Sequence, residues 1–301
     1  MYDPEADKID SYLKFWGTRG SVSVSGAPHV AYGGDTCCLE IRSGRHLVVI
    51  DAGTGIRKLG HTLIEEGIDE IHLVIGHTHW DHIMGFPFFA PIHFSDADIH
   101  IYAHLPDGIT LEQRLSGVLD PAYFPVGLGR LRARLHFHRL ECNKPVEVGP
   151  IRLRCAPANH PGGAVGFLIE KEDHKIGYVT DNEVLEGYLG DPREIDAGDE
   201  RLDLLRPLME LLRGCRPLVH EAQYTPRLYQ KRVGWGHSSI ANASLFAKLC
   251  EADHWIVTHH DPADTDRDIR AKREIHWKVL ADLGHPCRTQ MAYDEMLLPL
   301  L

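Results

Sequence analysis

No apolar run in this chain of 301 residues approaches the roughly 20 residues that a membrane-crossing helix needs. The first ten residues, MYDPEADKID, have neither the basic start nor the apolar centre of a secretory leader. Basic charge is scarce: 32 Lys and Arg stand against 43 Asp and Glu, a formal net charge of -11 with the 21 histidines neutral. Such a chain does not draw long nucleic acid or an anionic membrane toward it. Seven cysteines include the adjacent Cys37 and Cys38 but no CxxC, so no disulfide framework is expected. Together these absences predict a cytoplasmic protein with reduced, mostly buried thiols. No proline- or serine-rich linker, low-complexity tract or short repeat interrupts the chain, which predicts one domain over 1–301.

What is present is a globular composition, 43% apolar and 25% charged, with enough length for a sizeable core. Short apolar runs bounded by Gly, Ser and Asp predict strands at 11–17, 37–43, 46–51, 71–75, 98–103, 132–138, 150–155, 164–170, 175–180, 217–220 and 254–258. Ile56, Leu59, Leu63 and Ile64 fall at helical spacing before Gly67, and predict a helix over 55–67. Further helices are expected near 110–118, 201–213, 239–250 and 265–283. Strands interleaved with helices predict an α/β protein whose sheets are covered by helices. RLRARLHFHR (130–139) alternates strictly and reads as a half-buried strand, with Arg130, Arg132, Arg134, His136 and His138 on a solvated face outside any site.

The chemistry concentrates in HTHWDH (77–82), at the end of the apolar run IHLVI. His77 and His79, two apart on an extended end, point the same way and can reach one ion. Asp81 and His82 can reach a second point nearby. Imidazole with carboxylate is a ligand mix for zinc, or for manganese or iron where oxygen dominates. Four side chains do not complete two sites. His160, Asp181 and His259 each follow an expected strand and are candidates for the remainder, with His260 an alternative to His259. The glycine-rich DAGTG (51–55) lacks the spacing of a dinucleotide loop, and places Asp51 to orient a ligand histidine from behind.

HTHWDH, a distant His, TDN and a late His after a strand together resemble the metallo-β-lactamase superfamily, over most of the chain. The resemblance implies an αββα four-layer sandwich, two mixed β-sheets packed face to face with helices outside. It also implies two divalent metal ions, zinc first and manganese or iron as alternatives. His77, His79 and His160 would hold one ion, Asp81, His82 and His259 the other, and Asp181 would bridge them. VHEAQY (219–224) and WGHSS (235–239) resemble paired elements of the tRNase Z-like phosphodiesterase branch. By that likeness His237 faces the substrate phosphate, where a partly protonated imidazole would offset charge or protonate the leaving oxygen. Glu221 would hold His237, and Asp81 would also take the nucleophile's proton. Ser238 or Ser239 could cap the following helix.

KFWGTRGSVSVSG and YGGDTCCLEI resemble small-substrate bacterial members of the branch. The glycine- and proline-rich basic arm of true tRNA 3′-processing enzymes has no counterpart here, and the insertion between Asp98 and Arg139 reads as a lid. The expected activity is hydrolysis of a small anionic phosphodiester, a cyclic nucleotide or cyclic phosphate, by a metal-bridging hydroxide. Long nucleic acid and membranes are not expected partners, and a homodimer is the oligomer to test. The competing readings are a lactone, amide or thioester hydrolase on the same scaffold, a tRNA 3′-processing-type endoribonuclease, and a non-hydrolytic metal-binding sensor. Tyr224, Tyr229 and Trp235 are candidates for base stacking or ordinary half-buried aromatics; Phe86, Phe88 and Phe89 suit core or pocket wall.

Overall fold

A computed structural model describes residues 10–105 and 108–300. The leader expectation, resting on residues 1–9, and Pro106 and Asp107 of the insertion lie outside the described residues. The chain builds β1 (Ser11–Gly17), β2 (Cys38–Ser43), β3 (His46–Ile50), α1 (Ile56–Glu65), β4 (Glu70–Ile75), α2 (Trp80–Ile83), α3 (Ala90–Phe94), β5 (Asp98–Ala103), α4 (Leu111–Val118) and β6 (Arg134–Arg139). It continues with β7 (Val146–Val148), β8 (Ile151–Ala158), β9 (Ala164–Lys171), β10 (His174–Val179), α5 (Arg206–Leu212), β11 (Leu218–Glu221) and α6 (Pro226–Tyr229). Last come α7 (Ile240–Leu249), β12 (His254–Thr258), α8 (Asp266–Asp282), β13 (Arg288–Met291) and β14 (Leu297–Pro299).

Two seven-stranded sheets result, in the orders β14-β1-β2-β3-β4-β5-β6 and β13-β12-β11-β10-β9-β8-β7. Alternation decides which side chains meet between them. Leu13, Phe15, Leu39, Ile41, Val48 and Val74 of the first sheet pack against Leu153, Val165, Phe167, Ile169, Tyr178 and Ile256 of the second. The opposite face of the first sheet (Ile71, Leu73, Ile99, Ile101) is covered by Leu59 and Leu63 of α1, Ile92 of α3 and Leu115 of α4. The opposite face of the second (Leu168, Val179, Trp255, Val257) is covered by α5, α7 and α8 through Leu208, Phe246 and Ile269. The architecture is the expected αββα sandwich. Among the described residues no helix is long and apolar enough to cross a membrane.

Two local departures have physical causes. The helix expected over 201–213 divides into a 3-10 stretch at Glu200–Leu205 and α5, because Pro207 lacks the N–H an interior position needs and fits only a first turn. The strand expected from 132 begins at Arg134, since the N–H groups of Arg132 and Ala133 both turn to the carbonyl of Ile92.

β3, β4, β5 and β6 run parallel, as do β10, β11, β12 and β13. The carboxyl ends of such strands form a rim where loops project from rigid backbone, a recurrent place for sites in α/β proteins. The residues of interest follow β4, β8, β10 and β12.

Candidate metal centre

The four side chains of HTHWDH leave β4 on a short loop and the first turn of α2, with His79 extended just before the helix. His77, Asp81 and His82 are buried and His79 is more open. His160 arrives from the end of β8, Asp181 from two residues past β10, and His259 directly after β12. His259 has φ 55, in the left-handed region. That turn sends its ring to the rim while His260 points away, its Nε2 donating to the Ala292 carbonyl at 2.9 Å. The register therefore selects His259, not His260, for the cluster.

Asp181 sits at the middle. Its Oδ1 is 3.7 Å from His77 Nε2, 3.8 Å from His160 Nε2 and 3.4 Å from His259 Nε2. Its Oδ2 is 3.1 Å from His82 Nε2. His259 Nε2 is also 3.1 Å from Asp81 Oδ2. One ligand-type atom each from His77, His79 and His160 lie within 4.8 Å of one another, and so do those of Asp81, His82, Asp181 and His259. All seven expected residues are brought together.

The chemistry of this set fits divalent metal. His77 Nε2, His82 Nε2 and Asp181 Oδ2 are buried without a hydrogen-bond partner. Folded interiors leave few such atoms; a cation between them satisfies all three. His160 donates its Nδ1–H to the Gly236 carbonyl at 2.8 Å, which leaves its Nε2 lone pair for the cluster. Burial, then the neighbouring His82, pushes His77 well below the usual histidine range, into its neutral ligating form. Burial alone would raise the Asp181 carboxyl, but the rings of His259, His82 and His77 outweigh it and hold it well below the usual range.

The surroundings fix these groups in place. Asp51 Oδ2 lies 2.9 Å from His82 Nδ1, while its Oδ1 accepts the Gly76 N–H at 2.9 Å. The Ser21 N–H donates to Asp81 Oδ2 at 2.7 Å. Neither Ser21 nor its GTRGS segment was distinguishable as part of the site by residue type, because a backbone amide makes the contact. Glu183 was also not foreseen: its carboxylate accepts from Tyr229 Oη (2.8 Å), Gly234 N–H (2.9 Å) and Gly236 N–H (2.8 Å). Its only sequence signal is its place directly after Asp181 and Asn182. Cys37 is buried beside His82 and His259, and burial pushes its thiol well up.

His237 lies against the cluster, its ring stacked on His259 with centroids 4.9 Å apart and Nδ1 3.9 Å from Asp181 Oδ1. Burial, then His259, pushes it down to about 3, so its ring is neutral, not partly protonated as expected. Glu221 does not bond the imidazole. Its oxygens accept the N–H groups of Ser238 (2.6 Å) and Gln223 (2.7 Å), and so grip the loop through the main chain. Ser239 caps α7 by accepting the Asn242 N–H, whereas Ser238 Oγ donates to the Asn182 carbonyl. Tyr229 is fully buried with its Oη on Glu183, Trp235 is 55% exposed with Arg232 over its ring, and Tyr224 is edge-on to His237, centroids 5.9 Å apart. A cavity of about 420 Å³ opens beside the histidines, lined by His77, Thr78, His79, Gly162 and Gly163, and by His104, Leu105 and Arg114 from the insertion.

Comparison with known proteins agrees with this geometry. Residues 46–260 match the family model described as the beta-lactamase superfamily domain. Ribonuclease Z of Haloferax volcanii is 23% identical, with 87% of this chain and 89% of that protein covered. The metallo-beta-lactamase fold protein YhfI of Bacillus subtilis superposes with a TM-score of 0.67 at 16% identity, over 96% of this chain and 98% of that one. Unliganded yeast PDE1 does so with 0.67 at 15% identity, over 96% and 100%. The two structural likenesses speak to fold alone, but the family match spans most of the chain and contains the whole rim from Asp51 to His260. The chain therefore belongs to the beta-lactamase superfamily domain family, and is a metal-dependent hydrolase of the metallo-β-lactamase fold.

Proposed function

We propose that this protein is a dinuclear metal-dependent phosphodiesterase whose substrate is a small anionic phosphodiester, a cyclic nucleotide or cyclic phosphate. The observation that carries the reading is the central position of Asp181, whose Oδ1 lies within 3.8 Å of His77, His160 and His259 and whose Oδ2 lies 3.1 Å from His82. His77, His79 and His160 would hold one cation and Asp81, His82 and His259 the other, with Asp181 shared. Zinc suits this nitrogen-rich set best, and manganese or iron is accepted by the same atoms. Such a pair supplies Lewis-acid charge and lowers the pKa of water toward ~7.

The chain's own residues do the rest. Asp81, held by the Ser21 amide, is placed to take a proton from the attacking water. The neutral His237 ring offers an N–H to a phosphoryl or departing oxygen. Glu183 and Glu221 hold the backbone on both sides of it, so its position does not depend on substrate. Arg114 and His104 line the adjoining cavity and suit the rest of an anionic substrate. The site draws on residues from Ser21 to His259 in both sheets, which supports one domain over 1–301.

The second reading is an RNA end, favoured by likeness to the Haloferax volcanii ribonuclease Z. Against it, two arginines of the basic 130–139 stretch are already paired, Arg132 with Asp96 and Arg134 with Asp98. Metal-loaded protein is expected to hydrolyse bis(p-nitrophenyl) phosphate, with His77→Ala and His237→Ala each slower by about 100-fold or more. A wild type inactive on that ester but active on lactones would overturn the reading. Turnover of 2′,3′- and 3′,5′-cyclic nucleotides against precursor tRNA ranks the two substrate classes.

A further inference from the structure

We propose that the open end of the first sheet's inner face is a separate site for a divalent first-row transition-metal ion, held by Glu70, His72 and His100. The pairing register lines up His72 on β4, His100 on β5 and His136 on β6 as direct neighbours. One row back stand Glu70, Asp98 and Arg134; one row on are Tyr102 and His138. These side chains share the face of Val74, which packs between the sheets; His72 is buried, His100 half-buried and Glu70 exposed. The rings of His72 and His100 stack with centroids 4.8 Å apart, and those of His100 and His136 at 4.6 Å.

Burial first, and then their mutual proximity, favours the neutral form of His72, His100 and His138, and a neutral imidazole is a metal ligand. His100 Nδ1 and His138 Nε2 are 3.0 Å apart, a contact that admits only one proton. One ring nitrogen each from His72 and His100 and one oxygen of Glu70 lie within 4.8 Å of one another. His72 Nε2 is 3.2 Å from Glu70 Oε1, the spacing of neighbouring ligands on one ion. Its Nδ1 is 3.2 Å from Tyr102 Oη. The tautomer that donates its Nδ1–H there leaves the Nε2 lone pair facing the carboxylate, two acceptors that a cation between them would reconcile. Burial pushes His72 and His100 below the usual histidine range, which disfavours a proton as that cation.

Access is open. A hollow of about 690 Å³, lined by Asp69, Glu70, Asp96, Asp98, His100 and Arg134, opens Glu70 and His100 to solvent. Two imidazoles and one carboxylate leave coordination positions for water or a further ligand, and imidazole with carboxylate suits zinc, nickel or copper(II). The site is distinct from the rim: His72 precedes His77 by five residues, roughly 16 Å of extended chain.

The test is the zinc content of chelator-stripped protein re-equilibrated at micromolar free Zn²⁺, for wild type, Glu70→Gln and His100→Asn. Both variants are expected to bind one ion fewer than wild type, with affinity at this face weakened about tenfold or more, and to keep wild-type hydrolysis of bis(p-nitrophenyl) phosphate. Reading the difference between chains makes the result independent of how many ions the rim holds. Glu70 is 66% exposed as a side chain, so its replacement leaves folding intact. Equal zinc content in all three proteins would overturn the proposal. It would mean that Nε2–H donation to Glu70 and Tyr102 O–H donation to Nδ1 close the face unaided.

Discussion

Asp51 adopts φ 66, a left-handed backbone rare outside glycine. The turn aims one carboxylate oxygen at the Gly76 amide and the other at His82. Carboxylates behind ligand histidines orient the ring and raise its basicity. Asp51→Ala should therefore weaken one metal equivalent about 10- to 100-fold, measured by competition with a chromophoric chelator. Gly236 makes a different demand. It has φ 86, and a Cβ there would stand 2.1 Å from His160 Nδ1. Gly236→Ala should destabilise the fold by about 1–3 kcal/mol, read by urea denaturation, and displace His160. The imidazoles and carboxylates of the rim were legible because four of them sit within six positions and residue type announces their chemistry. Ser21, Glu183 and the loop grip of Glu221 were not, because they act through backbone amides that any residue could supply.

Among elements, the long ones were readable, and of the short strands β11 was expected at 217–220 while three others were not. β12 and β5 fall where alternation and bounding residues put them. β7, β13 and β14 have three or four residues, too few for a period to show. The turn between β13 and β14 nonetheless ties the first sheet to the GTRGS segment. Asp294 accepts the N–H groups of Gly34 (2.9 Å) and Asp35 (3.0 Å), and Thr18 Oγ1 at 3.2 Å. Burial lifts its carboxyl from 3.8 to about 6. A raised carboxyl binds its proton more tightly in the folded state, so its contribution is full below 3.8 and declines as pH rises through about 6. The decline amounts to about 2–3 kcal/mol. Stability of Asp294→Asn relative to wild type should improve by that amount between pH 4 and pH 7, followed by urea midpoints. An unchanged difference would show that the carboxyl titrates normally.

For the whole molecule, strand and helix patterning predicted sheets covered by helices, the four-layer arrangement came from the resemblance carried by the HTHWDH, TDN and late-His motifs, and a charge of -11 pointed to a small substrate. Composition could not show that Arg132 and Arg134 are spoken for by Asp96 and Asp98, thirty-six residues away in each case. Nor could it show how the rim is divided. His77, His79, Asp81 and His82 belong to the first sheet's loops; His160, Asp181 and His259 belong to the second's. Neither half owns a complete coordination shell, so the shells exist only once the halves have docked. Interactions that form after the rate-limiting step leave folding speed alone and lengthen the lifetime of the native protein. On the expectation that docking follows that step, bound cations would act as a latch and not as a nucleus. Chelation should cost about 4 kcal/mol per ion at a thousandfold excess over Kd, and stopped-flow traces should show it almost wholly as faster unfolding, the refolding limb staying where it was.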